Sequence, residues 1–407
     1  MRILLITNTF PYPPVSGFPI RVYNLFRRIA NRHEVWLVSL VTELPIQKYV
    51  SHLQEIFHDV KIIKAPQYRG FDKPIAGLRY LLAGIPPDLR FYHSDEMVST
   101  IHHLVLSNNF DIVQIEDSYM AMYLETLPKG TQAKTILTFH DVVFDKYNRI
   151  YKLEKKLTRK VRRWLHSRIM KTWEPRYAEY FNLCVTVSDR DRVLLQTVNP
   201  RLCVGVVPNG TDSKSYALLP YRKPTPSLIY VGNMSDLTNI DAVIYFCEKI
   251  LPHIRLVIHN VEFWIVGLNP SNMIKQLDGD GIHVIGQVDD VRPYYKQSRV
   301  CVIPLRAGGG TRLKILEAMA LGRPVVSTSI GCEGLDVMDG IDIMIADTPL
   351  GFAQKTIHLL TEDELWGKIR KNARDLVENT YDWDALANQM MQQYDEIINK
   401  EYGTKKL

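Results

Sequence analysis

Residues Val300–Ser329 read VCVIPLRAGGGTRLKILEAMALGRPVVSTS. Val300 to Leu305 is a continuous apolar run of strand length. Thr311 to Leu321 has helical spacing, with Leu313, Leu316 and Ala320 on one stripe, Gly322 as its stop and Pro324 just beyond. A second β-branched run, PVVSTS, follows. The stretch is therefore strand, glycine loop, helix, strand. Gly308, Gly309 and Gly310 then lie at the carboxyl end of a strand and the amino end of a helix, where open α/β sheets bind ligands. The unbonded N–H groups of a first helical turn favour an anion, and glycine lets backbone approach it closely. Arg312 and Lys314 supply charge for a diphosphate, and Glu317, one turn on, can accept two hydrogen bonds from a ribose diol. A second reading stays open, because Lys314 and Glu317 are i,i+3 neighbours and can simply pair. The loop is not a Walker motif. YVGNMSDLTN is not a dinucleotide fingerprint either, as only Gly232 stands where three glycines are expected.

The same alternation runs the length of the chain. Strand candidates in the first half are RILLIT, EVWLVSL, VKIIKA, DIVQIE, KTILTFH, NLCVTVS and VGVVP. In the second half they are SLIYVG, EFWIVG, IHVIGQV, VCVIPL, PVVSTS and IDIMIA. Continuous rather than alternating apolar runs suit strands buried on both faces, so parallel sheets covered by helices are expected. Val207–Ser227 gathers Pro, Asn-Gly, Ser and Lys between the two series, as a linker would. The expected domains are 1–210, a linker 211–225, and 226–381. A closing helix in 382–407, capped by Asp382, is a candidate to pack back on the first domain.

At 407 residues, 46% hydrophobic and 23% charged, the chain has the bulk for two domains. Five scattered cysteines argue against a disulfide framework, and no Cys/His spacing suggests zinc. MRILLIT reaches polar Thr7 and Asn8 too soon for a signal peptide, and no apolar run is long enough to span a membrane. A soluble, reduced, cytoplasmic protein is the expectation. The net charge of +6 is concentrated in Lys152–Lys171, with nine Lys and Arg against one Glu. Leu153, Leu157, Val161, Trp164 and Ile169 give that segment a roughly helical period. It is either a solvated helix packing this stripe on the core or a basic amphipathic surface for anionic lipid. No recognition motif accompanies the charge, which disfavours nucleic acid.

With these residues in place, a resemblance can be stated. GGGTRLKILEAMALGRPVV resembles the donor-site segment of retaining glycosyltransferases of family four, which have the two-domain GT-B fold. TNTFPYPPVSGFPIRVYNLFRRIANRHEVWLVSL is similar to their amino-terminal segment, and VTVSDRD, VPNGTD, YVGNMSDLTNIDAVIYF, FWIVGLNP and IHVIGQVDDVRPYYKQSRVCVIPL follow in the family's order. The resemblance covers nearly the whole chain. It implies two Rossmann-like domains facing across a cleft, and transfer of a sugar from a nucleotide-diphosphate sugar to a glycan or lipid-linked acceptor with retention of anomeric configuration. No metal or other cofactor is implied.

Carried over residue by residue, the resemblance has Glu317 bind the ribose and the backbone at Gly309, Gly310 and Thr311 face the phosphate or sugar. Val288 meets the base through its backbone, Gly17 approaches the donor phosphates, and Gly232 and Asn233 belong to the donor site. His140 matches the cleft histidine near the transferred sugar, with Asp141 beside it. Two departures stand out. The family's usual first Glu, eight residues before the second, is Gly309 here. Asn233 and Asn239 occupy the region where Arg and Lys are common, so diphosphate charge falls to Arg312 and Lys314. Glu116 and Asp117, a carboxylate pair at a strand end, are either acceptor contacts or a solvated strand-to-helix cap. No side-chain nucleophile emerges, which favours same-face attack assisted by the leaving phosphate. The rival readings are a sugar-nucleotide epimerase, a glycan phosphorylase, or a partner subunit without activity.

Overall fold

The computed structural model describes residues 1–67, 85–154, 156–219, 226–308 and 311–399. Gly309 and Gly310 lie outside these residues, as do positions 220–225 of the expected linker. The chain divides into two units, Met1–Pro208 with Leu386–Leu407, and Asn209–Ala385.

The first unit is built on β1 (Arg2–Thr7), β2 (Glu34–Val41), β3 (Asp59–Lys64), β4 (Ile112–Glu116), β5 (Lys134–Phe139), β6 (Leu183–Thr186) and β7 (Val204–Val206). All pair in parallel, in the order β3-β2-β1-β4-β5-β6-β7. The second holds β8 (Ser227–Val231), β9 (Glu262–Val266), β10 (Ile282–Gly286), β11 (Val300–Ile303), β12 (Val325–Ser327) and β13 (Met344–Ile345), in the order β10-β9-β8-β11-β12-β13. Every candidate strand of the sequence is present. The continuous apolar runs of the inner strands are buried along their length, as in β2 (Val35 to Val41) and β11 (Val300 to Ile303), because both faces are covered, whereas the edge strands β3, β7 and β10 are only partly buried.

In each sheet the strand order reverses between the first strand and the fourth, β1 beside β4 and β8 beside β11. Loops leaving two such strands run to opposite faces, and a crevice opens between them at the carboxyl ends. This topology decides where side chains can gather.

Several boundaries differ from the sequence reading. The helix after the glycine loop is Leu313–Ala320, with Arg312 at its N-cap and Leu321 at its C-cap. Thr311 and Arg312 therefore precede it. Gly322 has φ +69°, the left-handed geometry that closes a helix. The basic segment 152–171 is not one helix. Helix Val143–Leu153 ends there and Leu157–Ala178 begins, and Leu157, Val161 and Trp164, which the sequence left open between core and surface, face solvent. The core is met instead by Met170, Trp173 and Ala178.

Residues 211–219 are not a free tether. Thr211 pairs with Asp382 across a parallel bridge, Arg374 donates to the carbonyls of Ser213 and Tyr216, and Arg370 donates to that of Leu219. The last helix, Trp383–Asn399, starts at Asp382, which accepts from Asp384 N–H at 2.8 Å and from Ser213 Oγ at 2.6 Å. From Leu386 its residues belong to the first unit. Replacing this cap and buried acceptor, Asp382→Ala, is expected to cost about 2 kcal/mol in urea unfolding, with Asp382→Asn retaining most of the difference.

Candidate active site

In the second unit the loops leaving β8 and β11 carry the chemistry. Tyr230, fully buried near the end of β8, donates its hydroxyl to Asn239 Oδ1 at 2.6 Å. Lys314, in the first turn of helix Leu313–Ala320, reaches back to both. Its Nζ lies 2.9 Å from Asn239 Oδ1 and 3.1 Å from Tyr230 Oη, and 4.3 Å from the centre of the Tyr230 ring. Asn239 Nδ2 in turn donates to the Asn233 carbonyl at 2.9 Å. The Asn233 side chain is spent locally, accepting from Ser235 N–H and Oγ. Asn239 thus does not replace a cation. It holds one.

Glycine is required around this ammonium. A Cβ on Gly232 would lie 2.7 Å from Lys314 Nζ, and one on Gly267 (φ +150°) would lie 1.7 Å from the Gly232 carbonyl oxygen. Gly308 (φ +140°) packs beneath the Arg312 guanidinium, which a Cβ there would meet at 2.4 Å. Val288 sits half-buried in the loop after β10. Thr311 is buried just ahead of the helix, whose N-cap Arg312 makes no side-chain capping bond.

The electrostatics follow from this packing. Among the described residues no carboxylate pairs with Lys314, whose partners are neutral oxygens. Burial, with Arg312 beside it, brings its ammonium down to about 7. The i,i+3 pair with Glu317 does not form. Among the described residues the Glu317 carboxylate makes no hydrogen bond or ion pair, and burial pushes it up to about 7 against the pull of Lys314. Nearby Tyr216 has its hydroxyl pushed up by Glu317. The result is a cationic, partly dehydrated helix entrance with a carboxyl one turn behind it, arranged to receive an anion.

In the first unit the corresponding strand ends belong to β1, β4 and β5. His140, just past β5, lies with Nε2 2.6 Å from Glu116 Oε2. The expectation that Glu116 meets an acceptor does not hold, because its side chain is 1% exposed and bonded inward. Its Oε1 accepts from Thr138 Oγ1 at 2.8 Å and from Gln114 Nε2 at 2.6 Å, and Tyr394 donates to Gln114 Oε1. Burial raises the Glu116 carboxyl, but the His140 bond, Arg21 and Thr138 outweigh it and hold it below the usual range. An ionised Glu116 accepts from His140 Nε2 and so fixes that nitrogen as a protonated one, which in the neutral tautomer leaves Nδ1 as an acceptor. The ring also packs 4.3 Å from Phe18, in the first turn of helix Gly17–Ile29. Gly17 is the exposed first residue of that helix, and no acidic side chain occupies its first turn.

Asp117 is a cap, but not a solvated one. At φ +84° it accepts from Tyr119 N–H at 3.0 Å and from Asn8 Nδ2 at 2.9 Å, and burial raises its carboxyl. Asp141 is paired with Lys146 at 2.5 Å. Behind them Glu174 ties two site loops together, accepting from Ser118 Oγ (2.7 Å) and from the N–H groups of Val143 (3.2 Å) and Phe144 (3.0 Å). Sequence reasoning placed Asn239 in the donor region without its bond to Lys314, and missed Tyr230, Gly267, Gln114, Tyr394 and Glu174. Among the described residues no three His, Cys, Asp or Glu side chains converge as metal ligands.

Comparison with known proteins gives this geometry a context. Residues 15–215 match the Glycosyltransferase Family 4 model, and residues 225–362 match the model for Glycosyl transferases group 1. Sucrose-phosphate synthase from Thermosynechococcus elongatus superposes with a TM-score of 0.71 at 17% identity, over 97% of this chain and 98% of that one. The fold is GT-B. HepE of Anabaena, solved in complex with UDP and glucose, superposes with a TM-score of 0.65 at 14% identity, over 97% and 100% of the two chains. In sequence, the phosphatidyl-myo-inositol mannosyltransferase of Mycobacterium leprae is 24% identical over 202 residues, 47% of this chain and 53% of that protein. The chain spans about half or less of the length of the curated relatives it matches, 42% and 53% for two of them.

Burial pushes the Glu174 carboxyl up to about 8 despite its three hydrogen bonds. A group raised in the fold contributes stability below its unfolded value, near 4.5, and loses it as pH climbs through the folded one. Wild-type stability is therefore expected to fall between about pH 5 and 8 relative to Glu174→Gln, whose amide does not titrate, in urea midpoints taken across that range.

Proposed function

We propose that the protein is a retaining glycosyltransferase that moves a sugar from a nucleotide-diphosphate sugar to a glycan or lipid-linked acceptor. The single observation that carries this reading is the Lys314 ammonium, held on Tyr230 and Asn239 beside Arg312 at a helix entrance, with no carboxylate among the described residues paired to it. A diphosphate supplies the missing anion. The two family models and the UDP-bound neighbour support that choice of ligand.

In this reading Arg312, Lys314 and the helix N–H groups take the leaving diphosphate. Gly232, Asn233, Gly308 and Thr311 shape the backbone around it. Glu317 accepts from the ribose hydroxyls, Val288 meets the base, and Gly17 approaches the phosphates. The bond from the anomeric carbon to phosphate oxygen breaks as the acceptor oxygen bonds to the same face. The acceptor proton passes to the departing phosphate. Cations fixed before reaction stabilise the charge developing on that oxygen. His140, with Nδ1 as acceptor, positions a hydroxyl of the reacting partners, and Asp117 and Asp141 edge the acceptor region. No bound metal is needed for the charge balance. The protein works on the cytoplasmic side, with its acceptor at a membrane surface.

The test is a nucleotide-sugar screen that includes UDP-glucose, run with soluble and lipid-linked acceptors. Release of nucleoside diphosphate should depend on acceptor, and the product anomer should match the donor's by NMR. Glu317→Ala and Arg312→Ala are each expected to lower kcat/KM at least about a hundredfold, the loss of a charged hydrogen-bond partner to the donor. Undiminished transfer by both variants would reject the donor-site assignment, and acceptor-independent release would reject the reaction class.

A further inference from the structure

We infer that the outward face of helix Leu157–Ala178 is a docking surface for an anionic lipid bilayer. Leu157 is 74% exposed, Val161 54%, Trp164 44% and Leu165 43%. At about 100° per residue these four fall within an arc of about 100°. His166, Met170 and Trp173 occupy the opposite side and are buried against the unit's core. The helix thus has two apolar faces, one paired and one in water.

The exposed stripe is bordered by charge of one sign. Arg168 lies within that arc, 5.5 Å from the Trp164 ring centre, exposed Lys171 and Arg176 flank it on either side, and exposed Arg162 lies farther round the helix. The one acidic residue of the helix is Glu174, which is buried and faces inward. An apolar strip with an aromatic ring, flanked by Arg and Lys, is the composition of a helix that lies in the plane of a membrane interface. The cations meet lipid phosphates while Leu, Val and Trp enter the acyl boundary. A protein partner of mixed charge leaves the cations unmatched. A nucleic acid leaves the apolar strip in water.

The placement has a consequence for the proposed reaction. Helix Val143–Leu153, joined to Leu157–Ala178 by a short connection, starts three residues after His140. A bilayer held at this helical hairpin lies within a short length of chain of the histidine loop, and it concentrates a lipid-linked acceptor there. This use of the surface rests on the transferase reading. Binding to lipid does not.

The experiment is flotation of the full chain with phosphatidylcholine vesicles, with and without phosphatidylglycerol, and with no donor or acceptor present. The expected result is binding to the anionic vesicles only, weakening as salt rises. Leu157→Ser with Trp164→Ser, and separately Arg168→Gln with Lys171→Gln, should each reduce partitioning at least about tenfold at unchanged melting temperature. Failure to float, equal binding to neutral vesicles, or full binding by both variants would overturn the inference. So would a lower melting temperature in the Ser variant, which would show the stripe packed within the protein. Self-association of the parent that the Ser variant abolishes would assign the stripe to a second copy, and would equally overturn it.

Discussion

The candidate site of the second unit is organised around a buried ammonium with which no carboxylate among the described residues pairs. Lys314 places its ammonium against the Tyr230 ring and two neutral oxygens, with the Arg312 guanidinium close by. Burying a cation without a counter-ion is costly, and the fold meets the cost by letting the ammonium approach neutrality near pH 7. Gly232 leaves room for it, Gly267 lets the backbone pack on Gly232, and Gly308 leaves room for the Arg312 guanidinium. The parallel strand order brings β8 and β11 together, so that a tyrosine from one and a helix entrance after the other meet at one point. An anion bound there gains two cations and the helix N–H groups at once.

The first unit solves a different problem with the same topology. It holds a histidine in one orientation through a buried chain of polar side chains, Tyr394 to Gln114 to Glu116 to His140. Each member is satisfied by the next, which is what makes a polar core tolerable and specific. The final link comes from a helix that starts in one unit and ends in the other, so the carboxyl-terminal segment is part of the histidine's support. Glu174 performs a parallel task for the loops, binding N–H groups that no strand ladder satisfies.

The strands were legible because parallel sheets buried on both faces write themselves as uninterrupted apolar runs. The glycine loop and its cations were legible because ligand sites in such sheets occupy fixed places relative to strand and helix ends. What failed to show was tertiary. Lys314 was readable as a partner of Glu317 three residues on, yet it bonds to residues 75 and 84 positions away. Tyr394 meets Gln114 across 280 residues. Glu116 ends a strand like many solvated carboxylates, and only the packing behind His140 turns it inward. The basic segment carried a helical stripe that periodicity could not assign to core or solvent, because helix Leu157–Ala178 has a second apolar face, His166, Met170 and Trp173, that meets the core instead.

The central claim is that an anion belongs beside Lys314. Titration calorimetry at pH 8, in buffers of differing ionisation enthalpy, tests it with UDP-glucose first and then other nucleotide sugars, whose diphosphate charge is constant in this range. A depressed ammonium is mostly neutral at that pH, and a neighbouring diphosphate restores its ordinary value. Binding should therefore take up about one proton in the wild type and none in Lys314→Met. Tight binding by the wild type with no proton uptake would contradict the account.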